Sequence, residues 1–439
     1  MADDKIVKVL FADRNCHAEV IHLEDCWQAI SRNQHLPAPV RNMLGELTAA
    51  ALMMACNLKF TGAVVLQIQG AGPVRLALVE VRNGLTVRAT AQLSVKPENV
   101  PADAVDLNGA TVIPGLIDVH SHGNSGADFS DGDYDGLVKM AAYLAKNGVT
   151  SFAPASMTLP YDVLETAFRT AVRLHRIAPK GCARLLGIQM EGPFFSEKKK
   201  GAQNAAYLRL PDYDAFARLY NAAEGLLRIA DVAPELSGAV EFTRRASEKC
   251  TVSVAHTDAS YEEAASVFDA GATHLTHLYN AMPGIHHRHP GPIGAASERE
   301  SVTAELICDG HHVHPSAVRM AFRLFPNRVC LISDALRCCG MPDGQYTLGG
   351  QDVFLAGGVA RLSDGTIAGS AANLYDCMRN AAAFGVPVEQ AVLAATAIPA
   401  REIGRAGETG SIADGLPADF VVCDDTLERQ AVYLGGERL

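Results

Sequence analysis

Residues 111–122 read Thr-Val-Ile-Pro-Gly-Leu-Ile-Asp-Val-His-Ser-His, a short apolar segment that runs into two histidines. The apolar part, 111–117, predicts a buried β-strand. Seven further short apolar segments follow, and we predict strands at 150–153, 185–190, 229–232, 251–255, 273–276, 303–307 and 329–332. Helical sequence lies between most of them, as at 134–146 and 261–269. Eight β/α units predict an α/β fold, a (β/α)₈ TIM-like barrel with its active site at the carboxyl ends of the strands.

The sequence on both sides of the barrel segment has a different character. After Gly344 it is β-rich, and then come a predicted helix at 388–395 and terminal strands at 420–423 and 431–434. Before residue 105 we predict one helix, followed by an antiparallel meander with turns at 70–73 and at Asn83-Gly84. The apolar face of that helix comprises Val40, Met43, Leu44, Leu47, Ala51 and Met54.

Residues 96–101, rich in proline and polar side chains, read as a linker between the two parts. The predicted domains are therefore an α+β segment at 1–104, a barrel at 105–400 and the C-terminal strands of a small β-domain at 401–439.

Composition narrows the function classes. The 439-residue chain is 48% hydrophobic and 20% charged, as expected of a globular protein with a large core, and its net charge is −11. An acidic chain is not expected to bind nucleic acid in general. The N-terminal residues lack a signal-peptide pattern, and the longest apolar run, 49–56, is far shorter than the roughly 20 residues that span a bilayer. The 11 scattered cysteines contain no C-x-x-C pair. These features predict a cytoplasmic protein with reduced thiols and no membrane contact.

Metal-ligating side chains follow most of the predicted strands. The set comprises His120 and His122 after strand one, Glu191 after three, His256 after five, His277 after six, Asp309 and His312 after seven, and Asp334 after eight. Any one of them alone is more often a satisfied core residue than a ligand. Together they predict a hydrolytic metal site, which needs a few imidazole or carboxylate ligands and a general base beside an open position.

Two other clusters have ordinary interpretations. His286, His287 and His289 lie in a Gly/Pro-rich loop, and the run Lys198-Lys199-Lys200 is typical of a solvated loop face.

The segment Pro114-Gly115-Leu116-Ile117-Asp118-Val119-His120-Ser121-His122-Gly123 resembles the first-strand signature of the amidohydrolase superfamily. Further motifs, in the same order, resemble the N-acetylglucosamine-6-phosphate deacetylases over roughly residues 106–439. They are Glu191-Gly192-Pro193-Phe194, Lys200-Gly201-Ala202-Gln203, Ala255-His256-Thr257-Asp258-Ala259, His277-Leu278-Tyr279-Asn280-Ala281-Met282, Asp309-Gly310-His311-His312, Ser333-Asp334-Ala335 and Ile367-Ala368-Gly369-Ser370. His-Leu-Tyr-Asn-Ala-Met is specific to that family, whereas His-x-His occurs across the superfamily.

The resemblance implies a role for each matching residue. Glu191, His256 and His277 would hold a catalytic divalent metal, zinc first, with iron, manganese or cobalt as alternatives. His120 and His122 would hold a second metal, and Asp334 would shuttle the proton. Arg288 would contact the substrate phosphate, often across a dimer interface, which implies a homodimer. The remaining residues that would bind the phosphorylated amino sugar are Ala202, Gln203, Asn280, Ala281, Asp309, Gly310, His311, His312, Ile367, Ala368 and Gly369.

The N-terminal residues depart from that family, whose members begin with strands that complete the small β-domain. Residues 7–99 instead resemble the N-terminal domain of the redox-regulated heat-shock holdase chaperones, without their four-cysteine zinc switch. The matching segments are Trp27-Gln28-Ala29-Ile30, Val40-Arg41-Asn42-Met43-Leu44-Gly45-Glu46-Leu47, Leu58-Lys59-Phe60-Thr61-Gly62 and Leu66-Gln67-Ile68-Gln69-Gly70-Ala71-Gly72-Pro73. The small β-domain is therefore expected to be incomplete, with 420–434 short of partner strands.

The function implied is hydrolysis of N-acetylglucosamine-6-phosphate to glucosamine-6-phosphate and acetate, in amino-sugar catabolism. Two alternatives stay open. One is another amidohydrolase, acting on a cyclic amide. The sequence has no lysine at a strand end, where those enzymes would have a carbamylated metal ligand, and this counts against it. The other is a client-binding chaperone module fused to an inactive barrel.

Overall fold

A computed structural model describes residues 4–10, 17–32, 34, 36–58, 61–70, 74–82, 86–93, 107 and 110–439. The chain divides into two compact units, Met1–Ala110 and Thr111–Leu439. The turn at Asn83-Gly84, residues 71–73 of the other predicted turn and the linker at 96–101 lie outside the described residues. No described helix has the length and apolar character needed to cross a membrane.

The first unit contains the predicted helix and antiparallel meander. Its elements are β1 (Lys5–Leu10), β2 (His17–His22), α1 (Asp25–Arg32), α2 (Ala38–Asn57), β3 (Ala63–Gln69), β4 (Val74–Arg82) and β5 (Thr86–Leu93). The strands β3, β4 and β5 form one sheet in that order. The helix α2 buries Leu44, Ala51 and Leu52 in a cluster with Val79 of β4. Met54 was predicted on the buried face, but it is 48% exposed.

The second unit contains a parallel barrel. Its strands are β7 (Leu116–Asp118), β10 (Val149–Phe152), β11 (Arg184–Leu185), β12 (Ile188–Met190), β13 (Leu227–Val232), β14 (Thr251–Val254), β15 (His274–Leu275), β16 (Thr303–Ile307) and β17 (Val329–Ile332). The third barrel position is split into β11 and β12, and all neighbouring strands pair in parallel. The Asp334 amide donates to the His120 carbonyl at 2.9 Å, which joins the last position to the first. The predicted TIM-like barrel is therefore confirmed.

Helices alternate with the barrel strands and cover them. They are α3 (Tyr134–Lys146), α4 (Tyr161–Ile177), α5 (Tyr213–Ala222), α6 (Ala239–Ala246), α7 (Tyr261–Asp269), α8 (Gly291–Ser297), α9 (Pro315–Leu324), α10 (Leu374–Ala383), α11 (Val388–Ala395) and α12 (Ala397–Glu402). Short 3₁₀ turns lie at Phe129–Asp131, Glu197–Lys199 and Ala205–Tyr207. The apolar faces of the helices pack on the strands in one continuous core, where Phe152, Phe168 and Phe216 are fully buried.

Three small antiparallel sheets accompany the barrel. Their strands are β6 (Thr111–Pro114), β8 (Gly123–Asn124), β9 (Ala127–Asp128), β18 (Gly344–Leu348), β19 (Gln351–Ala356), β20 (Val359–Leu362), β21 (Phe420–Cys423), β22 (Arg429–Leu434) and β23 (Glu437–Arg438). One sheet has the order β23-β22-β21-β6, another β18-β19-β20, and β8 pairs with β9.

The predicted single strand at 111–117 is wrong, because it forms two strands in different sheets. β6 pairs with β21 in the small sheet, and β7 is the first barrel strand. The change of direction falls at Gly115, where a Cβ atom would lie 2.2 Å from Thr150 Oγ1. Within 420–434, β21 does not lack partners, since it pairs with β6 on one side and β22 on the other. That the small β-domain as a whole is incomplete stays a prediction. Among the described residues, β6 is one edge strand of this sheet and β23 is the other.

Candidate metal centre

Six side chains converge at the carboxyl end of the barrel. His120 and His122 follow β7, and Glu191 follows β12. His256 follows β14, His277 follows β15, and Asp334 follows β17. Each of these residues is at most 7% exposed. The parallel topology therefore brings the predicted ligands into one buried group.

The first set of ligand atoms belongs to Glu191, His256 and His277. Glu191 Oε1 lies 3.1 Å from His256 Nε2 and 3.3 Å from His277 Nε2, and the two imidazole nitrogens are 3.1 Å apart. Ligand atoms about 2.0–2.2 Å from a tetrahedral metal lie about 3.3–3.6 Å from one another. The observed separations are close to that spacing.

The outer nitrogens of both imidazoles show what this set can bind. His256 Nδ1 donates to the Lys199 carbonyl at 2.8 Å, and His277 Nδ1 faces the Asn280 carbonyl at 3.2 Å. In the neutral rings the proton is therefore on Nδ1, and both Nε2 lone pairs point at each other and at a carboxylate oxygen. Three electron pairs in a buried space repel unless a cation lies between them. The donor set therefore fits a divalent metal.

A second set comprises His120 and His122 with the same Glu191. His122 Nε2 lies 3.4 Å from Glu191 Oε2 and 3.3 Å from Asp334 Oδ1. His120 Nε2 is buried without a hydrogen-bond partner, 3.5 Å from Glu191 Oε1. The ligand atoms of each set lie within 4.8 Å of one another. The two sets share one carboxylate, so the site has room for one or two metals.

The chain after Glu191 wraps around His256. The Phe195 ring stacks on the His256 ring with centroids 4.4 Å apart, and the Ser196 amide donates to the His256 carbonyl at 3.0 Å. Gly192 has φ +90°, and a Cβ there would lie 2.2 Å from Thr158 Oγ1. A glycine is therefore needed for the tight turn that directs the Glu191 side chain toward His256 and His277.

Three of the six converging residues have strained backbone. His256, His277 and Asp334 have φ values of 43°, 29° and 49°, in the region that non-glycine residues rarely adopt. Each such residue costs about 1–3 kcal/mol and is typical of functional sites. The fold maintains this strain where the side chains must converge.

Buried carboxylates below the ligands were not predicted from the sequence. Glu305 Oε2 accepts from His120 Nδ1 at 2.9 Å and from the His277 amide at 3.1 Å, so it fixes a residue of each set. Asp118 accepts from Ser333 Oγ at 2.5 Å, and burial raises the pKa of Asp118 to about 6. Burial and the nearby Glu305 and Glu191 charges raise the pKa of Asp231 well above its usual range. The available signal was a carboxylate inside an apolar strand, as in Thr-Ala-Glu-Leu-Ile at 303–307.

A cavity of about 350 Å³ opens above the metal ligands. The residues predicted to bind substrate that line it are Ala202, Gln203, Asn280, Ala281, His312, Ile367 and Gly369. Lys198 and Lys199 also line it, although the sequence suggested a solvated loop face. They lie 3.1 Å and 3.8 Å from the Asp258 carboxylate, with side chains 79% and 31% exposed. Two lysines therefore lie at the cavity, and both are paired with Asp258.

Some predicted residues lie outside this wall. Gly310, His311 and Ala368 do not line the cavity, and Arg288 is exposed in the loop that contains His286 and His289. Asp309 follows its strand as predicted, but its carboxylate is hydrogen-bonded to the next residues of the same loop. It accepts from His312 Nδ1 at 2.7 Å and from the amides of His311 and His312.

Asp309 and His312 are hydrogen-bonded beside the cavity. Burial opposes the charge of Asp309, but the hydrogen bonds and charge of His312 lower the pKa of Asp309 to about 2. Burial also opposes the charge of His312, and the Asp309 carboxylate raises its pKa above the usual value. The Asp309 carboxylate therefore favours the protonated form of His312.

Comparison with known families agrees with this geometry. The Amidohydrolase family matches residues 111–438, and the Hsp33 protein family matches residues 4–153. The chain belongs to the amidohydrolase family. The Hsp33 match supports the chaperone-like interpretation of the N-terminal unit of this amidohydrolase.

Several curated relatives of this amidohydrolase are sugar-phosphate deacetylases. The N-acetylgalactosamine-6-phosphate deacetylase of Escherichia coli O157:H7 is 36% identical over 343 residues, which cover 77% of this chain and 90% of the relative. The N-acetylglucosamine-6-phosphate deacetylase of Vibrio furnissii is 36% identical over 337 residues, covering 76% and 84%.

Solved structures show the same fold. An N-acetyl-D-glucosamine-6-phosphate deacetylase mutant from Mycobacterium smegmatis, in complex with N-acetyl-D-glucosamine-6-phosphate, superposes with a TM-score of 0.73. It is 33% identical, and the match covers 86% of this chain and 99% of that one. The deacetylase of Thermotoga maritima has a TM-score of 0.70 and 27% identity, covering 85% and 99%.

Proposed function

We propose that this amidohydrolase removes the acetyl group of N-acetylglucosamine-6-phosphate, producing glucosamine-6-phosphate and acetate. The observation that carries the proposal is the convergence of Glu191, His256 and His277 beside Asp334, at the floor of a cavity of about 350 Å³. That volume lies in the range of small-ligand sites. The relatives named as deacetylases of 6-phosphorylated N-acetyl sugars support the choice of substrate.

The metal-site residues and Asp334 would have separate roles in the reaction. Glu191, His256 and His277 would hold a divalent cation, which polarises the amide carbonyl and acidifies water when bound. Asp334 Oδ1, next to His122, would accept a proton from the attacking water. It would return that proton to the sugar nitrogen as the C–N bond breaks. The products are then the free amine and acetic acid, which ionises to acetate in water, and Asp334 is regenerated.

The cavity wall would bind the rest of the substrate. Lys198 and Lys199 would provide positive charge for the phosphate dianion, and His312 lines the same cavity. Asn280 and Ala281 follow His277 and would contact the sugar, as would Ala202, Ile367 and Gly369. Asp309 would act by orienting His312, and Gly310, His311 and Ala368 by supporting the backbone around these contacts.

Three finer properties belong to the same proposal. Zinc is the metal that we favour, because the first ligand set combines two imidazoles and a carboxylate at near-tetrahedral separations. We propose a homodimer, because Arg288 is exposed and outside the cavity of its own chain. We place the enzyme in the cytoplasm, where amino-sugar catabolism would supply its substrate. The domain boundaries after residues 104 and 400 are also part of this proposal.

The galactose epimer is a second candidate substrate, because the relative from Escherichia coli acts, by its name, on N-acetylgalactosamine-6-phosphate at the same 36% identity. The two sugars differ only in the direction of one hydroxyl group. Apolar side chains on the wall, such as Met157, Leu336 and Leu348, discriminate weakly between hydroxyl positions.

The test is acetate release by the purified protein, with metal content measured on the same sample. We expect turnover of N-acetylglucosamine-6-phosphate, with kcat/KM higher than for its galactose epimer and much higher than for unphosphorylated N-acetylglucosamine. Preference for the epimer would select the second candidate. Activity on a cyclic amide alone, or on none of these compounds despite full metal content, would contradict the proposal.

Arg288→Ala is expected to raise KM for the phosphorylated sugar by about tenfold or more and to leave KM for the unphosphorylated sugar unchanged. The guanidinium can form a bidentate, charge-assisted contact with a phosphate, and a neutral sugar gains nothing from it. Steady-state kinetics on both sugars measure the difference. Dilution to monomers should reproduce the effect if the residue acts across a dimer. Equal losses on both sugars would show that Arg288 only maintains its loop.

A further inference from the structure

The two oxygens of Glu191 have different surroundings. Oε1 faces His256 and His277 at 3.1 Å and 3.3 Å. Oε2 lies 3.4 Å from His122 Nε2 and also accepts a hydrogen bond from Gln203 Nε2 at 2.5 Å. One oxygen is therefore free for a metal, and the other is already hydrogen-bonded.

The orientation of the Gln203 amide is fixed by its other end. The Thr158 backbone amide donates to Gln203 Oε1 at 2.8 Å, and a backbone N–H can only donate. Gln203 Oε1 must therefore be the oxygen, and the nitrogen must face Glu191. Gln203 and Glu191 are 3% and 2% exposed, so water does not compete for this contact. The preceding Ala202 carbonyl accepts from Gln351 Nε2 at 2.6 Å, which holds the loop.

The hydrogen bond from Gln203 to Glu191 has a different effect on each of the two ligand sets. A metal held by Glu191, His256 and His277 would be next to Oε1, and the hydrogen bond on Oε2 would fix the carboxylate in the orientation that such a metal needs. A metal between His120 and His122 must use Oε2, share Oε1, or recruit Asp334. The Gln203 N–H places partial positive charge beside Oε2 and takes up part of its capacity to donate electrons, so it disfavours a metal at that oxygen.

We propose that Gln203 is a positioning residue that makes the two metal positions unequal, with tight binding at Glu191, His256 and His277 and weak binding at His120 and His122. The inference rests on the proposed metal-dependent function. It also gives Gln203 a different role from the substrate contact that the family resemblance implies, since both ends of its side chain are engaged within the protein.

The experiment is equilibrium dialysis of the full metal-free chain against a series of buffered free Zn²⁺ concentrations, followed by elemental analysis. We expect two steps, the second at a free Zn²⁺ concentration at least tenfold higher. His122→Ala should abolish the second step and keep the first. Gln203→Met keeps the size and removes both hydrogen bonds. It should narrow the separation of the two steps by about tenfold, the low end of the usual effect of outer ligand partners on metal affinity.

Gln351→Ala is the matched control. It releases the same loop at the Ala202 carbonyl but leaves the Gln203 amide bonds in place, so the separation should stay within about twofold of the parent. Equal affinities in the parent, or an unchanged separation in Gln203→Met, would overturn the inference. An equal effect of Gln351→Ala would assign the asymmetry to the loop rather than to Gln203 and would also overturn it. A protein that shows the two steps and releases no acetate would contradict the proposed function alone.

Discussion

Asp334→Asn is expected to lower turnover by about 10²- to 10⁴-fold while metal content and KM change little. The substitution is nearly isosteric, and it removes the one carboxylate beside the ligands that is free to move a proton. Glu191 and Glu305 cannot replace it, because Glu191 faces the first ligand set and Glu305 is hydrogen-bonded to His120. Acetate release and elemental analysis on one preparation measure both quantities.

The control for this substitution is Asp269→Asn, which alters a surface pair with Arg299 and should leave turnover unchanged. An Asp334→Asn protein that retains turnover within twofold of the parent would show that the proton shuttle is another group. A protein that loses its metal instead would identify Asp334 as a ligand, acting through Oδ1 beside His122.

Glu191→Gln is expected to leave much less than one metal per chain after gel filtration, and activity should fall in proportion. The change removes the only anion of the first ligand set. It also presents an amide that can place an N–H group where the two imidazoles present lone pairs. Loss of one outer partner costs about 10- to 100-fold in metal affinity, and loss of a charged ligand should cost at least as much. Elemental analysis after extensive washing gives the stoichiometry.

Glu235→Gln provides a matched comparison in a neighbouring loop. Glu235 accepts from Thr257 Oγ1 and from the Asp258 amide, and it contacts none of the ligands. Its substitution should leave the stoichiometry unchanged. If Glu191→Gln also retains full metal content, Glu191 is a wall residue and the metal is held elsewhere.

Much of the fold follows from local sequence signals. The helices α3, α7 and α11 have the predicted bounds, because their apolar spacing is regular and their starts are marked. Asp133 caps α3, and Ser260 forms a capping box with Glu263 at α7. The six converging side chains could be predicted as a group, because parallel topology brings all carboxyl strand ends to one face of the barrel.

The structural features that could not be predicted from the sequence depend on contacts between residues far apart in the chain. Residues 111–117 are divided because β6 pairs with β21, more than 300 residues away, and β7 pairs with β10, about 30 residues away. The cavity position of Lys199 depends on the loop wrapping around His256, and its run of lysines gives no sign of that. Similarly, the amide orientation of Gln203 is set by Thr158, a contact that no local pattern encodes.

The position of β6 limits how the gene for such a chain can be rearranged. This strand is the first element of the second unit and pairs with β21, near the other end of the chain. A recombination event upstream of Thr111 can exchange the N-terminal domain and leave the catalytic unit with both strands. An event a few codons further on would remove the partner of β21 and expose its edge to other chains. Strand pairing thus defines the last site at which an unrelated leading domain can be joined without leaving an aggregation-prone edge.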